Sequence, residues 1–244
     1  MVRVLGGVDI VTRDGTSVAF ERGKSLELTV WLAHHREHAT RSAARAALWE
    51  HEVRDATFAN IVSDARRSLG RALPPPHDEE WIGRTLTDQL PLHPLVCTDA
   101  EMLQARLAAS AGLAPAEAIE VLRPGVALVR EQPFAGTDHL WPATEGLASA
   151  LTLLVTSATT ELASHHLALG DIDGVFWATG QGLKVLSGQE DLIGLRMRAH
   201  HQRGDIAGVR REWETYERAI TAESWSDGEP SPKLLTLRRE LLNR

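Results

Sequence analysis

Two stretches of nine residues nearly repeat each other: LALGDIDGV at residues 167–175 and HQRGDIAGV at residues 201–209. The shared Gly-Asp-Ile begins at Gly170 and returns at Gly204, an offset of 34 residues. The shared Gly-Val pair returns at the same offset. A constant offset at every matched position indicates one structural unit that is used twice along the chain.

The 34-residue period is the length of a tetratricopeptide repeat, in which two helices joined by a turn stack on the next pair. In that register the glycine ends the first helix and the aspartate caps the second. We therefore predict first helices at about 156–169 and 191–203, and second helices that begin at Asp171 and Asp205. Helical periodicity continues through nearly all of the second half, so the predicted fold class is mainly α.

The length and composition predict two soluble domains. A chain of 244 residues exceeds a usual single domain, and its 43% hydrophobic and 24% charged residues are typical of globular proteins. The longest apolar run, at residues 151–155, is far shorter than the ~20 residues of a membrane span. We expect a cytoplasmic protein without a membrane segment. Cys97 is the only cysteine, which excludes an intramolecular disulfide.

The character of the sequence changes at Cys97, which gives predicted domains at 1–97 and 98–244. Residues 1–97 carry 12 lysines or arginines against 13 acidic residues, and the remainder carries 14 against 20. The whole chain has a net charge of −7. Because such a charge gives no general attraction to phosphate, binding of nucleic acid would depend on a local basic patch.

The first 97 residues predict a small sheet, three helices and a hairpin. VRVLGGVDIV at residues 2–11 and the turn at Asp14-Gly15 favour short antiparallel strands. A helix follows at about 23–39, and Thr40 is a suitable N-cap for a short second helix. After the third helix, a proline-rich connection leads to two short extended runs that form a hairpin carrying Arg84. This order is typical of an OmpR-type winged helix-turn-helix, an α+β fold.

The third helix, from Asp55 to about Leu73, separates into two faces. We expect the Asp55 carboxylate to cap its first turn. Its apolar face carries Phe58, Ile61, Val62, Ala65 and Leu69. Its polar face carries Asn60, Ser63, Asp64, Arg67 and Arg71, with Arg66 at the edge. Amide and guanidinium groups suit major-groove recognition, although an ordinary solvated helix gives the same pattern.

Several segments together resemble one family of regulators. VRVLGGVDIV, ATRSAARAALW and ANIVSDARRSLG are similar to the DNA-binding domain of the Streptomyces antibiotic regulatory protein family. TDAEMLQARL, EQPFAGTDHLWP and EPSPKLLTLRREL are similar to the bacterial transcriptional activator domain that follows it in that family. The resemblance covers essentially the whole chain, and it implies a winged helix-turn-helix followed by an all-helical, tetratricopeptide-like domain.

The resemblance implies a transcriptional regulator that binds double-stranded DNA, and not an enzyme. The residues expected at the DNA are Asn60, Ser63, Arg66, Arg67, Arg71 and Arg84. The expected partners also include RNA polymerase, a second copy of the chain in a homodimer, and a small-molecule or protein effector on the helical domain. We expect no cofactor and no metal.

Two departures from the family pattern keep an alternative open. The family usually has a basic residue followed by leucine where this chain has Asp64-Ala65, and its hairpin usually ends in Gly-Tyr where this chain has DQLPL. An aspartate facing phosphate would weaken DNA binding by repulsion. The alternative is a sensory or protein-interaction module, with a ligand or peptide in the helical repeats and a winged helix that binds DNA weakly or not at all.

Two other motifs favour structural roles. His-His pairs occur at His34, His165 and His200, but no further ligand completes a zinc site. The segment TGQGLK, which contains Gly180 and Gly182, is similar to part of a phosphate-binding loop. Because it follows helical sequence and not a strand, we expect a glycine-containing helix there.

Overall fold

The computed structural model describes residues 1–222 and 229–243, and Arg244, the predicted end of the second domain, lies outside them. The chain forms two compact units. The first comprises Met1–Glu101 with Phe134–Ala148, and the second comprises Met102–Pro133 with the chain from Ser149 onward. This division by contacts differs from the predicted boundary after Cys97 in placing residues 134–148 with the first unit.

Backbone hydrogen bonds explain why a distant segment belongs to the first unit. The N–H of Phe134 donates to the carbonyl of Val4 at 3.0 Å, and the N–H of Ala135 donates to that of Gly6 at 3.1 Å. Phe134 and Trp141 are buried, and their rings pack edge to face with centroids 5.7 Å apart. Pairing between residues so far apart in sequence leaves no local pattern that sequence analysis can detect.

The first unit contains the predicted small sheet and three helices. Its elements are β1 (Val2–Arg3), β2 (Asp9–Ile10), α1 (Gly23–His34), α2 (Arg41–Leu48) and α3 (Asp55–Ala72). The strands are antiparallel, with Val2 opposite Ile10. The Thr40 side chain accepts a hydrogen bond from the N–H of Ala43, as predicted for the α2 N-cap. Single-turn 3-10 helices follow α1 and α3, at Arg36–His38 and Pro76–Asp78.

The remaining elements are helical: α4 (Asp99–Ser110), α5 (Pro115–Val126), α6 (Trp141–Thr144), α7 (Leu147–Ala168), α8 (Ile172–Leu183), α9 (Glu190–Gln202), α10 (Ile206–Ala222) and α11 (Pro232–Leu242). By length and composition alone, α7 would be long and apolar enough to cross a membrane. Its residues Val155, Ala158 and Leu162 are fully buried in the second unit. These residues of α7 therefore contribute to the core of the second unit.

The two repeated nonapeptides form the turns between α7 and α8 and between α9 and α10. Gly170 and Gly204 adopt φ values of +71° and +73°. This left-handed conformation favours glycine at the end of a helix. The Asp171 carboxylate accepts the N–H of Gly174 at 3.0 Å, and the Asp205 carboxylate accepts that of Gly208 at 2.8 Å. Both turns therefore have the predicted geometry.

Each turn also contains a histidine that the period explains, buried at His166 and half-buried at His200. The Nδ1 atom of His166 lies 2.7 Å from the Asp171 carboxylate, and that of His200 lies 3.0 Å from the Asp205 carboxylate. A Cβ atom on Gly174 would lie 2.1 Å from the His166 Nδ1 atom. We call this set, His166 or His200 with its aspartate and the glycine three residues later, the histidine turn.

Hydrogen bonding lowers the pKa of both turn aspartates. The main cause is the N–H of Gly174 for Asp171 and the N–H of Gly208 for Asp205, with the neighbouring histidine contributing further. Because a lowered pKa means that the folded state prefers the carboxylate, this stabilisation is complete above the ordinary value of 3.8 and is lost as the pH falls below it.

The core of the second repeat extends to the last helix. Ile193 and Met197 of α9 pack with Val209 and Trp213 of α10 and with Leu234 of α11. On α10, Val209 and Trp213 are 0% and 3% exposed and form the buried side of the helix. The TGQGLK segment lies at the end of α8, as the helical interpretation requires, and does not form a phosphate loop.

Candidate nucleic-acid interface

Helix α3 carries the buried face that its sequence predicts. Phe58, Ile61, Val62, Ala65 and Leu69 are all buried. The helix packs on α1, where the hydroxyl of Ser25 donates to the carbonyl of Ile61 at 3.2 Å. The other side of the helix is therefore fixed in orientation by a well-packed core.

The start of α3 differs from the prediction. Arg54 occupies the N-cap position and makes no side-chain cap, and Asp55 lies in the first turn. The Asp55 carboxylate is 91% exposed and pairs with Arg45 of α2 at 2.7 Å. The carboxylate still lies at the positive end of the helix, but it joins two helices instead of capping one.

Four of the predicted DNA-contacting residues share the exposed side of α3. Asn60, Ser63, Arg67 and Arg71 are all exposed. The side chains of Arg67 and Arg71 are 59% and 60% exposed. Amide, hydroxyl and guanidinium groups are thus presented together on one rigid helix, which is the arrangement that base and phosphate contacts require.

Asp64 does not belong to this exposed face, contrary to the prediction. Its side chain is fully buried. Asp64 follows Ile61 by three residues and precedes Ser68 by four, so it lies on the same side of the helix as both. Ser68 is also buried. The packing face of α3 is therefore wider than its apolar residues alone indicate, and Asp64 lies at the rim of that face. One Asp64 oxygen lies 3.4 Å from Arg67, and the other has no hydrogen-bond partner in the part of the chain described. A buried carboxylate does not face phosphate, so the main objection to DNA binding is removed.

Arg66 connects α3 to the hairpin. Its guanidinium donates to the carbonyls of Ile82 at 2.8 Å and Gly83 at 2.7 Å. Burial lowers the pKa of Arg66, although the group stays charged. These contacts favour a positioning role for Arg66 over the direct DNA contact predicted for it.

The hairpin at residues 81–92 forms as predicted and presents Arg84. The N–H of His93 donates to the carbonyl of Trp81 at 2.8 Å, and that of Gly83 donates to the carbonyl of Pro91 at 2.9 Å. The returning run is joined to the start of α2, because the N–H of Arg41 donates to the carbonyl of Asp88 at 2.7 Å. The Arg84 side chain is 76% exposed.

Two glutamates that sequence analysis did not select lie among these arginines. Glu21 is 3.0 Å from Arg71 and 3.8 Å from Arg67. Glu80 is 2.8 Å from Arg84 and 3.5 Å from Arg66. The four-residue spacing of Glu80 and Arg84 is a recognisable local signal, whereas Glu21 and Arg71 are 50 residues apart and have none.

No metal centre is found among the residues described, since no three histidine, cysteine, aspartate or glutamate side chains converge there. His34 lies instead between the rings of Phe134 and Trp141, each with a centroid 6.2 Å from its own. Burial lowers the pKa of His34 to about 4. This histidine is therefore neutral at physiological pH.

The second unit contains a groove that could hold a ligand. It has a volume of about 650 Å³ and is lined by α7, α9 and α11. Leu195, Leu234 and Leu237 contribute apolar surface, and Asp191 and Arg198 contribute charges of both signs. The Asp191 carboxylate is already paired with Lys233 at 2.7 Å.

One known protein family matches the chain over more than half of its length. The family model described as "Bacterial transcriptional activator domain" matches residues 96–242, which is more than half of the sequence. The chain belongs to this family. The resemblance drawn from the TDAEMLQARL and EPSPKLLTLRREL segments is confirmed for this part of the chain. No curated protein matches the sequence.

This family member is also similar in structure to EmbR of Mycobacterium tuberculosis, solved in complex with a low affinity phosphopeptide. The TM-score is 0.69 and the sequence identity is 21%. The similarity covers 99% of this chain but only 64% of the EmbR chain, so this chain spans less than two thirds of EmbR. At this identity the comparison shows a shared fold.

Proposed function

We propose that this protein is a transcriptional regulator of the Streptomyces antibiotic regulatory protein type that binds double-stranded DNA. Membership of the bacterial transcriptional activator domain family supports a regulator. The chain also shares its fold with EmbR over 99% of its length. The observation that carries the DNA-binding proposal is the exposed face of α3, where Asn60, Ser63, Arg67 and Arg71 lie together above a buried core.

In this proposal the first unit is a winged helix-turn-helix and α3 is its recognition helix. Asn60 and Ser63 face the base edges in the major groove, and Arg67 and Arg71 contact phosphates. The hairpin is the wing, and its Arg84 contacts the adjacent backbone or minor groove. Arg66 holds the wing against α3 through the carbonyls of Ile82 and Gly83 and so fixes the distance between the two contact regions.

The second unit is a tetratricopeptide-like domain in which each histidine turn joins the two helices of one repeat. As the family resemblance implies, we propose that it supports a homodimer in the cytoplasm and an interaction with RNA polymerase. The 650 Å³ groove between α7, α9 and α11 is the place for an effector. A second candidate function follows from that groove: a sensory or protein-interaction module in which the effector site is primary and DNA binding is weak.

Selection of genomic DNA fragments by the purified full chain at physiological salt separates these two functions. A regulator recovers fragments that share a defined sequence motif and binds them at least 10³-fold more tightly than unrelated DNA. Recovery of unrelated fragments that are released by moderate salt, or no recovery, would contradict the proposal and favour the sensory module.

A further inference from the structure

The exposed arginines that would meet DNA are already held by carboxylates of the same unit. Glu21 lies between the two arginines of α3, 3.0 Å from Arg71 and 3.8 Å from Arg67. Glu80 lies 2.8 Å from Arg84 of the hairpin. Each group proposed to bind phosphate therefore has an acidic neighbour in the unbound protein.

These ion pairs are exposed to solvent on both sides. The Glu21 side chain is 54% exposed, and its partners Arg67 and Arg71 are exposed to a similar degree. Exposed pairs of this kind contribute little to folding stability, because water and salt compete with them. Their acidic members are consequently available for exchange with another anion.

A carboxylate in salt-bridge contact with a guanidinium occupies the position that a phosphate oxygen would take, because both anions accept the same charge-assisted hydrogen bonds. DNA binding must therefore displace Glu21 from Arg67 and Arg71, or leave its negative charge beside the phosphates. Either outcome weakens phosphate contacts and reduces the number of counterions that binding releases.

The segment that carries Glu80 is anchored to the fold. The indole N–H of the next residue, Trp81, donates to the carbonyl of Leu73 just beyond α3 at 2.7 Å. On the other side, the carboxylate of Glu79 lies 2.6 Å from the His93 ring. Because its neighbours are fixed, Glu80 stays close to Arg84 when the arginine turns toward DNA.

We propose that Glu21 and Glu80 are intramolecular competitors of DNA phosphate that lower the affinity of the interface for DNA of every sequence. They weaken the phosphate contacts, which are common to all DNA sequences, and leave the base contacts of Asn60 and Ser63 unchanged. A fragment without the correct bases is then held only weakly by the arginines, and stable binding requires the base contacts as well. This inference rests on the proposed function, since it concerns the same surface of α3 and the hairpin.

The test compares the full-length protein with Glu21→Gln and Glu80→Gln, using fluorescence anisotropy on a selected genomic fragment and on an unrelated duplex over a range of salt concentrations. Glu37→Gln is the matched control, because it makes the same charge change at an exposed residue of the turn after α1. Thermal unfolding followed by circular dichroism checks that each variant is folded.

We expect Glu21→Gln to raise affinity for the unrelated duplex about fivefold and to steepen its salt dependence by about one unit. Affinity for the selected fragment rises by a similar factor, so both affinities increase while their ratio stays about the same. Glu80→Gln raises both affinities in the same way, and it tests the inference independently if the Glu21 variant does not fold.

Two other outcomes have distinct meanings. If the unaltered protein prefers its selected fragment but both variants behave as Glu37→Gln does, the competitor role is wrong and the proposed function stands. If neither the protein nor any variant distinguishes the selected fragment from the unrelated duplex, the proposed function fails and the inference fails with it.

Discussion

Carboxylates are paired with other side chains both at the histidine turns and on the exposed face of α3, but the two sets of pairs differ in construction. At the first histidine turn the His166 side chain is 2% exposed, and a backbone N–H also holds its aspartate. On α3 both members of the Glu21–Arg71 pair are more than half exposed. The first kind of pair occurs twice at a fixed offset, and the second joins segments 50 residues apart.

This difference separates the side-chain pairs that stabilise the fold from the pairs whose members are available to bind DNA. A pair that combines a ring packed against the fold with a backbone donor is held in place by the turn itself, so its contribution is to folding. A pair that water surrounds contributes little to folding and can exchange its partner. We therefore expect changes at the histidine turns to affect stability, and changes on α3 to affect DNA binding.

The largest effect is expected from Gly174→Ala in α8. The new Cβ atom would lie 2.1 Å from the His166 ring and 2.5 Å from the Asp171 carboxylate, so the histidine turn must open. We expect the free energy of unfolding to fall by about 4 kcal/mol, from overpacking together with the lost cap. Urea denaturation measures this decrease in the free energy of unfolding.

Gly180→Ala is the matched control, because it lies in the same helix with no neighbouring atom within 4 Å of the new Cβ. It should raise the free energy of unfolding by about 0.5–1 kcal/mol, as alanine favours a helix over glycine. Equal changes in the free energy of unfolding for the two substitutions would show that the histidine turn does not stabilise the fold.

A second expected effect concerns His34, a buried histidine of the first unit that has no hydrogen bond at Nε2 among the described residues. Burial lowers its pKa from 6.5 to about 4, opposed by the charge of Glu101 and reinforced by His35 and Arg36. As the pH falls, residue 34 is therefore protonated in the unfolded chain at a higher pH than in the folded protein. The free energy of unfolding should be unaffected above pH 6.5 and should fall by about 3 kcal/mol between pH 6.5 and pH 4.

Urea denaturation at several pH values measures this dependence in the protein and in His34→Phe. The substituted ring cannot titrate and suits the neighbouring Phe134 and Trp141 rings. Its unfolding free energy should therefore change less between pH 6.5 and pH 4. The same decrease in both proteins would mean that other groups cause it.

On α3, Asn60→Ala should lower specificity without affecting folding. If Asn60 pairs with a base, its loss costs about 2 kcal/mol at the correct site and almost nothing on unrelated DNA. The ratio of affinities for the two fragments should fall about 30-fold in an anisotropy titration, while the urea midpoint stays the same. An equal loss of affinity for both fragments would indicate that Asn60 contacts a phosphate and not a base.

The features that sequence analysis predicted depend on local pattern. The bounds of α3 follow from its apolar spacing, and the two Gly-Asp turns follow from the 34-residue offset. Asp64 was misplaced because a residue at the rim of a helix face is assigned by its polarity, whereas its burial depends on how closely the neighbouring helix packs. The contact of Glu21 with Arg71 and the pairing of Phe134 with Val4 depend on the tertiary fold, which no local spacing encodes.

The central claim, that the exposed face of α3 is the DNA-binding surface, is tested most directly by the salt dependence of DNA binding in Arg67→Ala. Arg13→Ala is the control, because Arg13 is an equally charged, exposed residue at the turn after β2. The account predicts that Arg67→Ala weakens binding to all sequences and lowers the slope of log K against log salt by about one unit, while Arg13→Ala leaves the slope unchanged. Identical slopes for the protein and Arg67→Ala would contradict it.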